Sequence, residues 1–300
     1  MNSAVVVLFS PDLISIRALV NVLEKQVDNV ILVDNTPPSI RKYKEEEFVS
    51  EGVIYLDLGD NLGIAKAHNV EIRKEIELGH EYVIIFDQDS SIDQGFVSSL
   101  ISVDKQLRSE GKKVAAVGPA YIDVKTNMMA PAWQLKGLKV NREKIDQKKL
   151  VTESDHLISS GSLIRLDVFD KVGLMLEELF IDFVDIEWGM RAKKNGYICY
   201  IANNVLMKHS IGDKSVKIPL TNRYLSIHSD FRKYFIVRNA FFLILYSNVN
   251  INWKIVQIPK TFLYLTLLCI FVSPRLNNIK IFLLALKDAI TKNMDKGSMS

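Results

Sequence analysis

Up to Val117, the chain alternates between short apolar runs and longer amphipathic stretches. The apolar runs are rich in β-branched residues and have the length of strands that are buried on both faces. They are Ala4 to Phe9, Val30 to Val33, Val53 to Leu56, Tyr82 to Phe86 and Val114 to Val117. Between them, apolar residues recur at helical spacing from Leu13 to Leu23 and from Ile64 to Ile76. This order predicts an α/β fold with a mostly parallel sheet flanked by helices, which binds ligands at the carboxyl ends of its strands.

After Val117 the pattern changes twice. A polar stretch from Asp123 to Ser154 predicts loops, whereas the segments that follow it predict a short helix and further strands. Those segments are Leu157 to Ile164, Phe180 to Asn195, Tyr197 to Ile201 and Asn204 to Met207. Three longer apolar runs come after about residue 226, namely Phe231 to Tyr246, Thr261 to Val272 and Ile279 to Leu286. We therefore expect a main domain over 1-225, divided into 1-117 and 118-225, and a C-terminal helical region over 226-300.

The C-terminal runs raise the question of membrane contact. Neither of the last two runs reaches the roughly 20 uninterrupted apolar residues that span a bilayer. Basic residues interrupt or flank them, namely Lys254, Lys260, Arg275, Lys280 and Lys287. We expect an interfacial hairpin that dips into one leaflet and is held by anionic headgroups, rather than a spanning helix. Two alternatives stay open, in which these helices pack on the main domain or on a partner subunit of a homo-oligomer.

Composition narrows the class of protein. A chain of 300 residues with 48% hydrophobic and 24% charged residues can bury a large core. Its net charge of +3 is too small for a dedicated nucleic-acid binder, so we expect no nucleic-acid partner. Cys199 and Cys269 have no zinc-site spacing and form no disulfide framework, which is typical of a reducing cytoplasm. The first ten residues lack the basic segment of a signal peptide, so we expect a cytoplasmic protein.

Several common enzyme signatures are absent. The turn after the first run is Ser10-Pro11-Asp12, which has no glycine and therefore fits neither a dinucleotide fingerprint nor a P-loop. A glycine-rich nucleotidyltransferase loop is missing there too. The sequence also contains no HExxH and no G-x-S-x-G motif, which argues against metalloproteases and serine hydrolases.

Two carboxylates follow the run that is apolar enough to be a central strand. Asp87-Gln88-Asp89 comes directly after Tyr82 to Phe86. Carboxylates at the carboxyl end of a buried strand are hard oxygen ligands, suited to Mg²⁺ or Mn²⁺ that bridges a diphosphate. The alternative is a polar turn whose acids are solvated, but the position at a strand end favours the metal site.

Polar residues also follow the second and third strands. Asp34-Asn35 and Asn61-Leu62-Gly63 can accept hydrogen bonds from a pyrimidine N–H or a ribose hydroxyl, and a helix that begins after Asn61 favours a phosphate. Each has a structural alternative, because Asn61 is a good N-cap and Asp34-Asn35 precedes a Pro-Pro turn. Three polar signals at successive strand ends together favour a binding site.

Acidic residues crowd the start of a short helix that ends at Asn195-Gly196. These acids are Asp182, Asp185 and Glu187, and the helix dipole keeps such carboxylates ionised, so that one of them can take a proton from an acceptor hydroxyl. The alternative is that they only cap the helix. His209, after the run that ends at Met207, is a further candidate metal ligand beside Asp89, or a structural hydrogen-bonding residue.

Taken in order, these segments resemble glycosyltransferase family two, and within it the bacterial rhamnosyltransferases of O-antigen and cell-surface polysaccharide assembly. The likeness covers about residues 4 to 245 and includes a Tyr234, Arg238-Asn239 pattern. The matching stretches are VDN at 33–35, NLGIAKAHN at 61–69, FDQDS at 86–90, SSGSLIR at 159–165, FIDFVDIEWGMRAKKNGY at 180–197 and KHSIG at 208–212. The usual glycine pair before the acceptor region is replaced by Ser160-Gly161-Ser162, which leaves the geometry of that loop open.

The resemblance implies a GT-A fold, a nucleoside-diphosphate-sugar donor and inversion at the anomeric carbon by single displacement. It makes 1-117 the nucleotide-sugar half, 118-225 the acceptor half and 226-300 a membrane-associating extension. By position, Asp185 matches the catalytic base. The donor residues are Asp34, which recognises the base, with Asn35, Asn61, Lys66, Asp87 and Gln88. The metal ligands are Asp87, Asp89 and His209, for Mg²⁺ or Mn²⁺. The acceptor residues are Glu187, Trp188 and Arg238.

The specific prediction is a rhamnosyltransferase that uses dTDP-L-rhamnose and extends a lipid-diphosphate-linked glycan on the inner face of the cell membrane. A basic set suits an acceptor diphosphate or an anionic lipid, namely Lys214, Lys217, Arg223, Arg232, Lys233 and Arg238. A galactofuranosyltransferase that uses a UDP sugar is the nearest alternative. A catalytically silent adaptor that binds nucleotide or glycan at the membrane is the alternative from another class, although it has no need for Asp87, Asp89 and Asp185 together.

Overall fold

A computed structural model describes residues 2–48, 50–124, 127–209, 214–217 and 224–299, with the backbone alone at 209, 214–217 and 224–226. The strands are β1 Asn2–Leu8, β2 Asn29–Asp34, β3 Val53–Asp57, β4 Tyr82–Asp87, β5 Val114–Asp123, β6 Ala132–Lys136, β7 Lys139–Glu143, β8 Val151–Ser154, β9 Ser162–Arg165, β10 Ile198–His209, β11 Lys214–Lys217 and β12 Tyr224–Ile227. The helices are α1 Leu13–Leu23, α2 Ile64–Glu77, α3 Phe96–Ser109, α4 Phe169–Val172, α5 Val184–Lys194, α6 Asp230–Tyr246, α7 Ile251–Phe271 and α8 Arg275–Thr291.

The core of the molecule is an eight-stranded sheet in the order β3-β2-β1-β4-β9-β5-β10-β8. Strands β9 and β8 run antiparallel to their neighbours, and the remaining pairs are parallel. Alternate residues of β1 enter different hydrophobic clusters, Ala4 and Val6 in one and Val5 and Val7 in the other. Since both faces of the sheet are covered, its central strands are apolar without alternation, which confirms the predicted α/β architecture.

The polar stretch from Asp123 to Ser154, expected to consist of loops, contains regular structure. Strands β6 and β7 pair as an antiparallel hairpin, and β8 joins the edge of the main sheet beside β10. The loop prediction was wrong there because these strands are short and largely exposed on one face, which leaves little hydrophobic periodicity in the sequence. The two expected strands at 197–201 and 204–207 are one strand, β10, whose pairing with β5 shifts between Ala202 and Leu206.

The C-terminal helices pack on the main domain, which was one of the open alternatives. Helix α6 contacts α7 and α8, and Phe180 joins the apolar cluster between them, with Tyr234, Phe235 and Phe282. The chain then returns to the main domain, where Lys296 Nζ lies 2.5 Å from Asp60 Oδ2. This arrangement makes the extension one wall of the site described below.

Helix α7 is longer than the apolar run that predicts it. It begins at Ile251, where the Asn250 side chain accepts a hydrogen bond from Asn252 N, and has 21 residues. Length and composition are sufficient for this helix to cross a membrane, and only 11% of its apolar window is buried in the protein. The apolar run alone is too short to span a bilayer, as expected. The helix that contains it is long enough, because it also includes the preceding turns with Lys254 and Lys260.

Candidate active site

A cleft of about 580 Å³ opens at the carboxyl ends of β1, β2 and β4, and we call it the donor cleft. Its wall combines strand ends, the loop before α2, the loop before α5 and the start of α6. The lining residues are Val7, Phe9, Asn35, Asn61, Gly63, Ile64, Asp87, Gln88, Phe180, Ile181, Ser229, Phe231 and Arg232. Four of the expected donor residues, Asn35, Asn61, Asp87 and Gln88, thus meet in one cleft, as the parallel topology requires.

Two asparagines shape the loop that leads into α2. Asn35 Nδ2 donates to Asn61 Oδ1 at 3.1 Å, and Asn35 Oδ1 accepts from Leu62 N at 2.7 Å. Gly63 follows with a φ of +84°, and a Cβ atom there would lie 2.6 Å from the ring of Phe180. The loop can therefore approach the segment before α5 only because residue 63 is glycine.

The loop after β4 is fixed from two sides. Gln88 holds the chain after β1 through both its amide atoms, accepting from Phe9 N at 2.7 Å and donating to Phe9 O at 3.1 Å. On the other side, Ser160 Oγ accepts from Asp87 N at 3.3 Å and lies 2.6 Å from Ser90 Oγ. Ser160 belongs to the Ser160-Gly161-Ser162 stretch that stands in place of the expected glycine pair, and its hydroxyl contacts the acidic loop directly.

Asp34, which is expected to recognise the nucleobase, is the last residue of β2 and is completely buried. Its carboxylate accepts hydrogen bonds from Tyr43, Tyr55 and the backbone N–H of Thr36, and pairs with Arg41 Nε at 3.1 Å. All of its acceptor positions are engaged, so in this arrangement Asp34 holds the segment after β2 in place. A direct bond to a nucleobase requires one of these donors to move.

Asp185 lies in the first turn of α5, where Ile186 N donates to its carboxylate at 2.8 Å. The pKa of Asp185 is raised to about 6, chiefly by burial and to a smaller extent by the charges of Asp182 and Asp87, while the hydrogen bond from Ile186 N opposes the shift. Asp185 lines a small pocket with Ser159 and Trp188 rather than the donor cleft itself, and the charge of the cleft residue Asp87 acts on it. A carboxylate with such a pKa is ionised at neutral pH but is a stronger base than an ordinary aspartate.

The backbone before Asp185 is strained. Phe180, Asp182 and Phe183 have φ values of +62°, +64° and +66°, a region that costs about 1–3 kcal/mol for each residue with a side chain. The Asn239 amide donates to the carbonyl oxygens of Leu179, Ile181 and Asp182 at 2.7–3.0 Å. This contact from α6 holds the segment in the conformation that presents Asp185.

A second contact from α6 reaches the same segment through its side chain. Arg232 Nη2 donates to Asp182 Oδ1 at 2.5 Å, and Arg232 also lines the donor cleft. The wall of the cleft thus contains a guanidinium group that stays 36% exposed while it pairs with Asp182, and a diphosphate would need such positive charge.

The three residues that are expected to contact the acceptor are all buried. Arg238 is completely buried and donates to backbone carbonyls of Glu178, Leu179 and Asp295, so it clamps the same strained segment from behind. Glu187 is 5% exposed and forms an ion pair with Arg191 at 2.7 Å, one helical turn away. Trp188 is 4% exposed and donates to Gly173 O. The polar groups of all three side chains are bonded within the protein, so none of them is presented to the donor cleft.

Two other expected residues, Lys66 and Lys233, lie outside the donor cleft. Lys66 is exposed on α2 and does not line it. Lys233 is 5% exposed and pairs with Asp230 at 2.8 Å, so it does not offer its charge to a ligand. The side chains of Lys214, Lys217 and Arg223 lie outside the described residues.

The expected metal ligands are partly described. Asp87 lines the cleft, and the Asp89 side chain is exposed beside it, without a hydrogen bond or ion pair to any described residue. The backbone of Lys208 pairs with Ser91, which brings the end of β10 and hence residue 209 beside the acidic loop. The His209 side chain lies outside the described residues, and within them no group of three or more His, Cys, Asp or Glu side chains forms a metal site. Two carboxylates at a cleft edge fit a hard divalent cation in chemistry.

Sequence reasoning missed the residues that support the site from behind. Tyr43, Tyr55 and Arg41 around Asp34, and Asn239 behind Asp182, act through contacts 7 to 57 residues apart in sequence. No local spacing predicts such contacts. The one available signal was the Arg238-Asn239 pair inside an otherwise apolar run, since polar residues on a buried helix face need partners.

Comparison with known proteins gives one full-length relative. No protein-family model matches the chain. The dTDP-rhamnosyl transferase RfbF of Shigella flexneri is 38% identical over 297 residues, which cover 97% of this chain and 96% of that protein.

Solved structures share the fold at low sequence identity. The crystal structure of GalNAc-T7 with UDP, GalNAc and Mn²⁺ matches with a TM-score of 0.58 at 12% identity, covering 86% of this chain. The match covers only 54% of the GalNAc-T7 chain. Staphylococcus aureus TarS 1-349 in complex with UDP-GlcNAc matches with a TM-score of 0.56 at 13% identity, covering 97% of this chain and 80% of that one. These likenesses confirm the expected GT-A fold.

Proposed function

Since the chain belongs to the rhamnosyltransferases of glycosyltransferase family two, we propose that it transfers L-rhamnose from dTDP-L-rhamnose to a lipid-diphosphate-linked glycan. The observation that carries the donor assignment is the 38% identity with a dTDP-rhamnosyl transferase along nearly the whole chain. That likeness favours a rhamnosyl donor over a UDP-galactofuranose donor, and an enzyme over a silent adaptor.

The proposed chemistry is a single displacement with inversion. The acceptor hydroxyl loses its proton to the Asp185 carboxylate while its oxygen bonds to the anomeric carbon, and the bond from that carbon to the diphosphate breaks to release dTDP. The raised pKa of Asp185, about 6, makes its carboxylate a stronger proton acceptor for this step. Asn239 and Arg238 position this carboxylate through the strained segment.

Charge in the donor cleft supports the leaving group. Arg232 faces the diphosphate position from α6, and the Asn61–Gly63 loop brings the N-terminus of α2 to the same cleft. Asp87 and Asp89 are the residues that would hold Mg²⁺ or Mn²⁺, with His209 as a third candidate ligand. When bound, such an ion offsets the negative charge that develops on the diphosphate.

We place the enzyme on the inner face of the cell membrane as a peripheral protein. Helices α7 and α8 support this proposal, because large apolar side chains are exposed along them, among them Leu263, Ile270, Leu276 and Leu283. Basic residues such as Arg275 and Lys280 lie on the same pair of helices, where anionic headgroups attract them.

The test is a donor panel with the full-length protein. Purified protein is incubated with dTDP-L-rhamnose, UDP-galactofuranose or UDP-glucose, with Mn²⁺ or with EDTA, and with a membrane extract as acceptor. Release of nucleoside diphosphate and labelled glycan should occur with dTDP-L-rhamnose and should stop with EDTA. Preferred turnover of UDP-galactofuranose would overturn the donor assignment, and tight nucleotide binding without any turnover would favour the adaptor.

A further inference from the structure

A second cleft of about 220 Å³ lies between the β6–β7 hairpin, α5 and α7, and we call it the hairpin cleft. Its walls are mainly aromatic and aliphatic. They include Trp133, His156, Phe183, Met190, Trp253 and Val256. A larger opening of about 570 Å³ adjoins it, since Leu135, Asp155, Met190 and Trp253 line both.

Two cations gather on one aromatic ring at the edge of this cleft. Arg142 Cζ lies 4.5 Å and Lys260 Nζ 5.6 Å from the centre of the Trp133 ring. Within the described part of the chain, neither cation has a carboxylate partner. The acid of this cleft, Asp155, is engaged by Lys193 at 2.5 Å and by Leu135 N at 2.7 Å.

The positive charges of Arg142 and Lys260 therefore favour the binding of an anion. Burial and the charge of Arg142 both lower the pKa of Lys260, because the two cations lie near the same ring and repel each other. Burial also lowers the pKa of His156 to about 4, which leaves this neighbour uncharged at neutral pH. A phosphate group between Lys260 and Arg142 would relieve the repulsion and form charge-assisted hydrogen bonds.

The hairpin cleft lies beside the proposed base. Phe183, Ile186 and Met190 of the α5 region line this cleft, whereas Asp185 and Gly189 line the neighbouring face of the same helix. The two sets are offset by one residue along α5, which is about 100° around a helix. The two pockets therefore lie on adjacent faces of α5, so a molecule held in the hairpin cleft must extend around this helix for its next group to reach the Asp185 carboxylate.

We infer that the hairpin cleft binds the lipid diphosphate of the acceptor, with Lys260 and Arg142 on the diphosphate and the apolar walls on the first part of the lipid chain. This inference rests on the proposed function, because that function requires a lipid-diphosphate acceptor. The apolar side chains exposed on α7, including Ile255 and Ile258, continue from the cleft along the helix and give the rest of the lipid a path to the membrane.

The test measures binding of farnesyl diphosphate, a soluble lipid diphosphate, to the full-length protein by calorimetry. Excess dTDP is present so that the donor cleft is occupied. The variants are Lys260→Ala and Arg142→Ala, and the matched control is Lys280→Ala at an exposed position on α8. We expect each cleft variant to weaken binding about tenfold, the loss typical of a charge-assisted bond, and the control to stay within about twofold. Inorganic diphosphate should bind at least about tenfold more weakly than farnesyl diphosphate.

Three outcomes would overturn the inference. The first is equal affinity of the Lys260→Ala, Arg142→Ala and unaltered proteins, and the second is an equal loss in Lys280→Ala, which would indicate general surface attraction. The third is Lys260-dependent binding to phosphatidylglycerol vesicles without binding of farnesyl diphosphate, which would make a membrane phospholipid the occupant. Hydrolysis of dTDP-L-rhamnose by the unaltered protein, measured in parallel, tests the proposed function separately, because its failure leaves the binding result readable.

Discussion

The donor cleft and the hairpin cleft are formed by different parts of the fold. Both clefts have largely apolar walls, but the polar groups of the donor cleft come mainly from strand ends and the loops after them, whereas a hairpin and a late helix supply the large aromatic side chains of the hairpin cleft. The first is placed by the topology of the parallel sheet, and the second by tertiary packing of elements added around that sheet. The position of the donor cleft therefore follows from the strand order, whereas the hairpin cleft, which we propose holds the acceptor, depends on how the β6–β7 hairpin and α7 pack around the sheet.

Removal of the base should have the largest effect. The variant Asp185→Asn keeps the size of the side chain but cannot accept the acceptor proton, so kcat should fall by about 10³-fold while the affinity for the donor is unchanged. The measurements are initial rates of dTDP release with acceptor, and donor titration by calorimetry. Retention of more than about a tenth of the rate would move the role of base to another acid, with Asp182 as the first candidate.

The same variant tests the electrostatics of the site through stability. The folded-state pKa of Asp185, about 6, is raised above its ordinary value, so ionisation of this group costs folding free energy. The cost is absent below the ordinary pKa of an aspartate and is complete above about pH 6. Asp185→Asn should therefore melt on the order of 2 °C above the unaltered protein at pH 7.5, and the difference should disappear near pH 4.

A side chain added at Gly63, in the wall of the donor cleft, should have the next largest effect. A Cβ atom at Gly63 meets the ring and the carbonyl of Phe180 at 2.6–2.7 Å, whereas one at Gly59 meets nothing within 4 Å. Both glycines have positive φ, so Gly59→Ala is a matched control for backbone strain alone. Gly63→Ala should lower kcat/KM for the donor by about 10²-fold, and Gly59→Ala by less than about threefold. Equal losses in the two variants would show that Phe180 does not limit the cleft.

The first half of the sheet and the donor cleft could be predicted from the sequence, whereas the contacts that support the site could not. The order of β1 to β4 and the meeting of Asn35, Asn61 and Asp87 follow from apolar runs and strand ends, because parallel topology puts carboxyl ends at one edge. The role of Arg238 could not be predicted, since its guanidinium finds carbonyl partners about 60 residues earlier in the chain. The hairpin β6–β7 was missed because Trp133 and Arg142 meet only after the hairpin forms.

The pH dependence should be a smaller effect within the same site. Because the base must be deprotonated, kcat should fall about tenfold for each pH unit below about 6 and should be level from pH 7 to 8. The measurement is a profile of kcat at saturating donor and acceptor. A profile that stays level down to pH 5 would contradict the raised pKa of Asp185.

Membrane partition should show the smallest effect. Leu263 and Ile270 of α7 are 56% and 55% exposed, and their joint replacement by Asn should weaken binding to phosphatidylglycerol vesicles about fivefold. The control is Ile14→Asn, an 80% exposed position on α1 at which the vesicle affinity should not change. Sedimentation with vesicles gives both values. Equal affinity of the double variant and the unaltered protein would argue against contact of α7 with the membrane.

The most direct test is a crystal structure of Asp185→Asn with dTDP-L-rhamnose and Mn²⁺. We expect the diphosphate to lie in the donor cleft between the Asp87–Asp89 loop and Arg232, and the anomeric carbon of rhamnose to face residue 185. A nucleotide bound elsewhere, or a sugar whose anomeric carbon faces away from residue 185, would contradict it.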